Sequence, residues 1–510
     1  VTAAQLTAVR GVKSVAPVFD GGEAAYLGQA IGQDFSRALK LEVEGHPDLR
    51  AYGRVEVNPF AETQTNSEQW ALDNNGFSQE IELSDIEVLG VRGRAGEDIG
   101  LKGLPTENPE RKIKVAVVDT GIDLGHPAFS RTLRTSGPEC EAEARYHACM
   151  NTIPDKEACH RQFAKIDADG NGYPRDCHGW SVLGAKDVRT GVAGRPDPSD
   201  EVGHGTHVSG IIAAQGFVQG AIENVELIPV KVIGSDRGSA STELPVPSGD
   251  EFTKITAEAD HFARGVLYAL RAGAQVINLS LGYSIRDDST LMRRMVELAL
   301  SRGVVVVAAA GNQSSRTPVY PCTYAGVLCV ASHSSDGSIS YFSNYGDAVD
   351  IAAPGHGILS TWLRTLYPSV FTERKGYDFK NGTSMSAPYV TAGITRLLNL
   401  GYSAREAKAR VLAGARPHRL PTGMSDPFPK TTLGGNLDLA SAVALPIRPL
   451  IRPTQKGPLF LSWDALRSNV LPRSTLRMAL KNEWGAAPGP VVVNLGEPKA
   501  RDGVASVLRI

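Results

Sequence analysis

The sequence predicts an α/β protein built on a doubly wound parallel sheet with helices on both faces. Two observations carry this expectation. From about Glu110 to Ala444, short Val/Ile-rich runs alternate with longer stretches of helical periodicity. The residues that look chemically special stand at the ends of those runs or at the start of a helix. That is the carboxyl edge at which such sheets bind their ligands.

In chain order the strand candidates are "KIKVAVVD" (112–119), "VELIPVKVI" (225–233), "QVINLSLG" (275–282), "GVVVVAAAG" (303–311), "GVLCVAS" (326–332) and "AVDIAAPG" (348–355). Most are near-continuously apolar, as strands covered on both faces must be. Between them lie "TAEADHFARGVLYALRAG" (256–273) and "STLMRRMVELALSRG" (289–303), both with helical spacing. A last helix is expected in "SMSAPYVTAGITRLLNL" (384–400), with Met385, Val390, Ile394, Leu397 and Leu398 on its apolar stripe. Pro388 is expected in its first turn, where a missing N–H does least harm.

Ser384 follows the Asn381-Gly382-Thr383 loop and opens that helix. A Ser in that place caps a helix far more often than it attacks a substrate. To be a nucleophile it needs a base, and the base needs an orienting group. Asp119 ends an apolar strand beside a Thr-Gly turn, so it can be held buried, although Asp is also a common turn former there. "GHGTHVSGIIAAQG" (203–216) brings His204 and His207 to the start of a small apolar helix. Gly on both sides of His204 lets backbone and substrate approach the ring. Asn312, after the run "VVVVAAAG", can donate its amide to a developing oxyanion, or can simply form a turn.

Taken together, "VAVVDTGID", "GHGTHVSG" and "NGTSMSAP", in the order Asp, His, Ser, resemble the motifs of the subtilisin-like serine proteases, the subtilases. The resemblance implies a subtilisin-like fold and hydrolysis of peptide bonds through an acyl-enzyme. Asp119 then orients His204, His204 is the general base, Ser384 attacks, and Asn312 with the Ser384 N–H forms the oxyanion hole. His207 corresponds to the family's second, non-catalytic His, and Met385 to its oxidation-sensitive Met. Ser280, Leu281 and Gly282 would form the wall along which substrate adds as a strand, with Ala310 and Gly311 beside the S1 pocket. A lipase or esterase would need GxSxG and another residue order, which the chain lacks. The other class in play is a binding protein on a protease fold, but such members usually lose the Ser or His.

Composition fits this picture. The chain has 510 residues, 42% of them hydrophobic and 21% charged, enough for two or three domains. A net charge of −2 gives no reason to expect nucleic acid or an anionic membrane as partner, and no apolar run is long enough to span a bilayer. A monomer acting on protein or peptide substrates is the expectation.

Cys322 and Cys329 flank a short loop and make a natural pair. Cys140, Cys149, Cys159 and Cys177 crowd the insertion between Asp119 and His204, where three connectivities are open. An even count in a protein resembling secreted hydrolases favours disulfides and an extracytoplasmic setting, with reduced buried thiols as the alternative.

The insertion also holds "IDADGNGYPRDCHGW" (166–180), with Asp167, Asp169, Asn171 and Gly172 at the spacing that opens an oxygen-ligand calcium loop. Position twelve of an EF-hand would be His178 and not Glu, so this is no EF-hand. Many subtilases carry a similar loop. Asp167, Asp169, Asn171, Tyr173 and Asp176 are therefore the candidate ligands of a structural calcium, with an ion-free acidic turn as the alternative. No catalytic cofactor is implied.

Three domains are expected. Residues 1–66 are a propeptide remnant or an N-terminal extension, because "LTAVRGVKSVAPVF" (6–19) resembles the end of an inhibitory propeptide. Residues 67–445 are the peptidase domain, opening at "SEQWALDNNG" (67–76), which resembles a mature subtilase start. Cleavage would then fall between about Val55 and Glu68. After the Pro-rich "LPIRPLIRPTQKGP", residues 446–510 read as a linker and a small β-sandwich-like module, ending directly after an apolar strand.

Overall fold

The computed structural model describes residues 69–74, 94–135, 137–186, 191–234, 259–283, 289–346, 348–364, 376–418 and 434–445, together with the backbone of a few short strands elsewhere. Those near the N-terminus are β1 (Val12–Pro17), β2 (Tyr26–Leu27), β3 (Leu39–Val43), β4 (Ile81–Leu83) and β5 (Ile86–Val88). β1 pairs with β3, and β4 with β5, both antiparallel.

The body of the protein is an eight-stranded sheet. Its strands are β6 (Ile113–Asp119), β7 (Trp180–Lys186), β8 (Ala193–Arg195), β9 (Val225–Lys231) and β10 (Val276–Leu279). After the two-residue β11 (Leu281–Gly282), which stands outside that sheet, come β12 (Val305–Ala309), β13 (Leu328–His333) and β14 (Ile351–Pro354). The spatial order is β14-β13-β12-β10-β6-β9-β7-β8. Every neighbouring pair is parallel except β7–β8 at one edge. From β6 the chain winds to β7 and back to β9 on one side, then crosses to β10 on the other. The topological switch therefore lies between β6 and β10, where a crevice opens beyond the strand ends.

The helices are α1 (Pro138–Thr152), α2 (Lys156–Phe163), α3 (His204–Ala213), α4 (Ala259–Arg271), α5 (Thr290–Ser301), α6 (Thr383–Asn399), α7 (Ala404–Ala413) and α8 (Leu439–Ala444). They cover both faces of the sheet, and the strands divide their side chains between them with period two. Val115 and Val117 join Val208, Ile212, Val390 and Ile394 of α3 and α6 in one buried cluster. Ala116 and Val118 join Phe262, Val266, Met292 and Val296 of α4 and α5 in the other. Burying each such Val or Ile side chain contributes about 1.5–3 kcal/mol. That double layer is what holds the strand ends of the crevice in fixed positions.

Two boundaries differ from expectation. "QVINLSLG" is not one strand: the ladder breaks at Ser280, whose side chain turns inward. Pro388 is the sixth residue of α6 and so lies beyond its first turn. The insertion between Asp119 and His204 folds as the α1–α2 pair. Cys140–Cys177 and Cys149–Cys159 staple it, and the expected Cys322–Cys329 bridge is also present. Trp70, in the expected start of the peptidase domain, is 1% exposed and packs in the first core cluster. Within the expected C-terminal module, β17 (Val492–Asn494) and β18 (Val507–Arg509) pair antiparallel, and the rest of residues 446–510 lies outside the described residues. No helix among the described residues is long and apolar enough to cross a membrane.

Candidate active site

Asp119 is the last residue of β6, and His204 is the first of α3. Both are 1% exposed. His204 Nδ1 donates to Asp119 Oδ1 at 2.7 Å, and the same oxygen accepts the Thr120 N–H. An acceptor at Nδ1 places the ring proton there, so Nε2 carries the basic lone pair. That Nε2 is buried without a hydrogen-bond partner among the described residues.

The start of α3 is built to hold this pair. Asp200 Oδ1 accepts the N–H groups of Val202 and Gly203, and its Oδ2 accepts both the N–H and the hydroxyl of Thr206. The Gly205 N–H donates to Thr120 Oγ1, tying the helix to the turn after Asp119. A Cβ on Gly205 would sit 2.2 Å from the Gly121 carbonyl oxygen, so only glycine lets the two backbones meet. Behind them Lys231, paired in register with Asp119, buries its ammonium. It donates to the Ser199 carbonyl and lies 3.6 Å from Glu201. His207 donates Nε2–H to the carbonyls of Ile358 and Asp378, joining α3 to β15 (Ile358–Thr361) and β16 (Tyr377–Lys380). Burial holds its pKa down at about 3, so the ring is neutral.

Ser384 is the second residue of α6, and its hydroxyl caps no helix N–H. It donates to the Ser280 carbonyl at 3.1 Å, while the Ser280 hydroxyl donates back to the Ser384 carbonyl at 2.7 Å. This second bond has a cause in the sequence. The helical partner of the Ser384 carbonyl would be the N–H of residue 388, which is proline and has none. Asn278 supports Ser280 by donating to its hydroxyl.

Asn312 Oδ1 accepts both the N–H and the hydroxyl of Thr383. With its oxygen so committed, the amide NH₂ is left as a donor for the crevice. Asn344 fixes the loop that carries it, accepting the N–H groups of Gln313 and Ser315 and donating to the Ala310 carbonyl. Beside Ser384 and Asn312 lies a narrow cleft lined by Leu281, Gly282, Ala309, Gly311, Val319 and Thr383. Of the expected wall residues, Leu281, Gly282 and Gly311 line it. Ser280 is spent on Ser384, and Ala310 is buried behind. Ala309, Val319 and Thr383 were not singled out by the sequence, because an apolar or capping residue there looks like ordinary core.

Comparison with known proteins agrees with this geometry. The model of the subtilase family matches residues 110–431. This chain belongs to the subtilases. Subtilisin BL of Lederbergia lenta is 36% identical over 211 residues, 41% of this chain and 66% of that protein. Thermitase of Thermoactinomyces vulgaris is 35% identical over 219 residues, 42% of this chain and 67% of that protein. The chain thus spans about two thirds of the length of these two relatives. A thermophilic serine proteinase of Bacillus sp. (strain AK1) is 35% identical over 385 residues, 73% of this chain and 85% of that protein. Residues 110–431 are a subtilase serine-peptidase domain.

The acidic loop of this subtilase closes on itself. Asp167 accepts the N–H groups of Asn171 and Gly172, and Asp169 also accepts that of Asn171. Asp176 is buried and accepts the Tyr268 hydroxyl and the Asn171 amide. Burial pushes its pKa up to about 6. The Tyr173 ring turns into the core against Trp180 and Tyr268, leaving only its carbonyl for an ion. The structure adds a residue that the sequence did not mark. One carboxylate oxygen each of Glu139, Asp167 and Asp169 lie within 4.8 Å of one another.

Proposed function

We propose that this protein is a secreted serine endopeptidase acting through an acyl-enzyme. The observation that carries this is the buried Asp119–His204 pair, whose outer nitrogen is unpartnered while the Ser384 hydroxyl rests on a single carbonyl. For reaction the Ser384 hydroxyl turns from the Ser280 carbonyl to the unpartnered His204 Nε2, with the substrate carbonyl seated beside Asn312. His204 Nε2 takes the proton as Ser384 Oγ bonds to the carbonyl carbon. The Asn312 amide and the Ser384 N–H receive the oxyanion, and Asp119 stabilises the imidazolium. His204 then protonates the leaving amine, and water reverses the sequence to free the acid. The cleft contains no charged side chain, which suits an apolar P1 residue.

Residues 1–66 would act as a removable inhibitory segment. Supporting this, β2 pairs antiparallel with β11, Tyr26 opposite Gly282 and Leu27 opposite Leu281, on the edge where a substrate strand would add. The peptidase domain would begin near residue 67. Gln69 and Trp70 are buried, and Gln69 exchanges two hydrogen bonds with Gln219. Three disulfides fit an extracytoplasmic setting. An oxygen-only loop suits a structural calcium ion, which when bound would neutralise the clustered carboxylates.

One experiment tests the reading. The full chain is treated with a fluorophosphonate, the label is mapped, the N-terminus is sequenced and peptides with Leu or Lys at P1 are offered. Label on Ser384 that is lost in Ser384→Ala, a new N-terminus near residue 67 and cleavage after Leu are expected. Absence of label after removal of the N-terminal segment would leave a binding protein on a peptidase fold.

A further inference from the structure

The acidic loop departs from a complete calcium loop at one position, and the departure is compensated from elsewhere in the chain. In an EF-hand the twelfth residue is a glutamate that closes the coordination sphere. Here it is His178, whose Nδ1 is engaged with the Arg134 carbonyl at 2.8 Å. The loop therefore lacks its closing carboxylate.

Glu139 stands where that carboxylate is needed. It is the second residue of α1, in the insertion, and is 2% exposed. The Cys140–Cys177 bridge joins its chain neighbour to the residue before His178. One oxygen, Oε1, accepts the N–H groups of Ala168 and Asp169 in the loop itself. The other, Oε2, is buried with no hydrogen-bond partner. Asp176 Oδ1, across the loop, is in the same state. A buried carboxylate oxygen left without a donor is costly unless a cation supplies the missing partner. Among the described ion pairs the Arg134 guanidinium is the one that reaches a loop carboxylate, 3.8 Å from Asp169; Arg175 of the loop pairs with Glu143, and Arg271 stands against Gly172 without a described ion pair to the loop. Asp169 is exposed and Asp167 half-buried, so an ion has a path in from solvent.

We propose that Glu139 is a ligand of the loop's divalent cation, taking the place of the absent position-twelve glutamate. The ion is a hard one of calcium's class, because every donor is an oxygen. The first turn of α1 and the Cys140–Cys177 bridge then belong to the metal site, and the insertion is held to the sheet by ion and disulfide together. This rests on the calcium reading given above.

The test uses the full chain carrying Ser384→Ala, to prevent self-digestion, with and without Glu139→Gln. The amide keeps the Oε1 acceptor for Ala168 and Asp169 and removes only the charge. Calcium binding is followed by titration calorimetry after chelation, and melting is followed in EDTA and in calcium. The parent is expected to bind calcium and gain Tm. Glu139→Gln should bind at least about tenfold more weakly, since ligand charge tunes such sites. In EDTA it should melt at or above the parent, because a repelling charge is gone. A variant that binds calcium as the parent does, or that melts below it in EDTA, makes Glu139 a structural acceptor and overturns the assignment with the calcium loop intact. A parent that binds no calcium overturns the loop reading and this inference together.

Discussion

The reciprocal bonds between Ser280 and Ser384 place the proposed nucleophile at two points: the Ser280 carbonyl accepts its hydroxyl, and the Ser280 hydroxyl holds its backbone carbonyl. Pro388 removes the N–H that would have held the Ser384 carbonyl, and the Ser280 hydroxyl replaces it. Ser280→Ala therefore leaves a buried carbonyl without a donor, at a cost of about 1–3 kcal/mol. With Ser384 less firmly placed, kcat should fall about 10–100-fold with KM little changed, because small displacements of a reacting group are expensive. Adding Pro388→Ala restores a helical donor and should recover much of the lost Tm. Steady-state kinetics and melting of the two variants check this, and no recovery in the double variant would sink it. At this scale the places of Asp119, His204, Ser384 and Asn312 at the crevice could be read from the sequence because each sits in a motif of several residues. Ser280 was read as part of the substrate wall, since nothing local shows that its side chain turns inward. Glu139 was invisible because it lies 28 residues before Asp167, on another element.

Between elements, the working parts are the ends of β6, β9, β10 and β12 and the starts of α3 and α6, and a few buried polar contacts keep them aligned. Lys231 is the clearest of these, carrying a charge from β9 into the loop that precedes α3. Its side chain is 1% exposed and that of Glu201 7%. Lys231→Met keeps the stem but removes one partner of a buried ion pair, which costs about 3–5 kcal/mol. Activity should fall as well, because the freed loop carries Asp200 and Gly203 into the start of α3. Urea unfolding beside kinetics measures both, and a variant of unchanged stability would show that the pair contributes nothing. The central strands could be read from the sequence because their Val/Ile runs are buried on both faces. The α1–α2 pair could not, since disulfides stabilise it where apolar periodicity is weak. β15 and β16 were also missed, being short and defined mainly by pairing with each other and by His207.

For the molecule as a whole, the distribution of buried histidines sets how it responds to acid. Burial holds His207 and His333 down at about 3, and His356 and His418 at about 4, against 6.5 for an exposed ring. An unfolded chain protonates these rings as pH falls through 6.5, whereas the folded chain does not until pH 4 or below. In that window the unfolded state binds more protons, so the stability present above pH 6.5 is lost as pH falls. Asp176, pushed up to about 6, and Glu143, also raised by burial, work the other way from about pH 6 down to the usual carboxylate range. Asp123 and Asp197 are lowered, so their stabilising effect is lost only below the usual carboxylate pKa of 3.8. Burial holds His126 and His178 down as well, so six lowered histidines face two raised acids, and each unmatched proton is worth about 1.4 kcal/mol per pH unit. Urea midpoints of the Ser384→Ala chain in EDTA should therefore drop steadily between pH 6 and 4.5. The weak corner is identifiable. His333 and His356 both bond Ser334, and His418 bonds Asn436, which donates in turn to Gly337. Trp70 packs edge-on against His333 and donates to the His356 carbonyl. Acid should loosen this corner first, releasing Trp70 and shifting tryptophan emission to the red before the helical signal is lost. Midpoints that stay flat across that range, or an emission change that only follows loss of helix, would show that these rings do not govern acid stability.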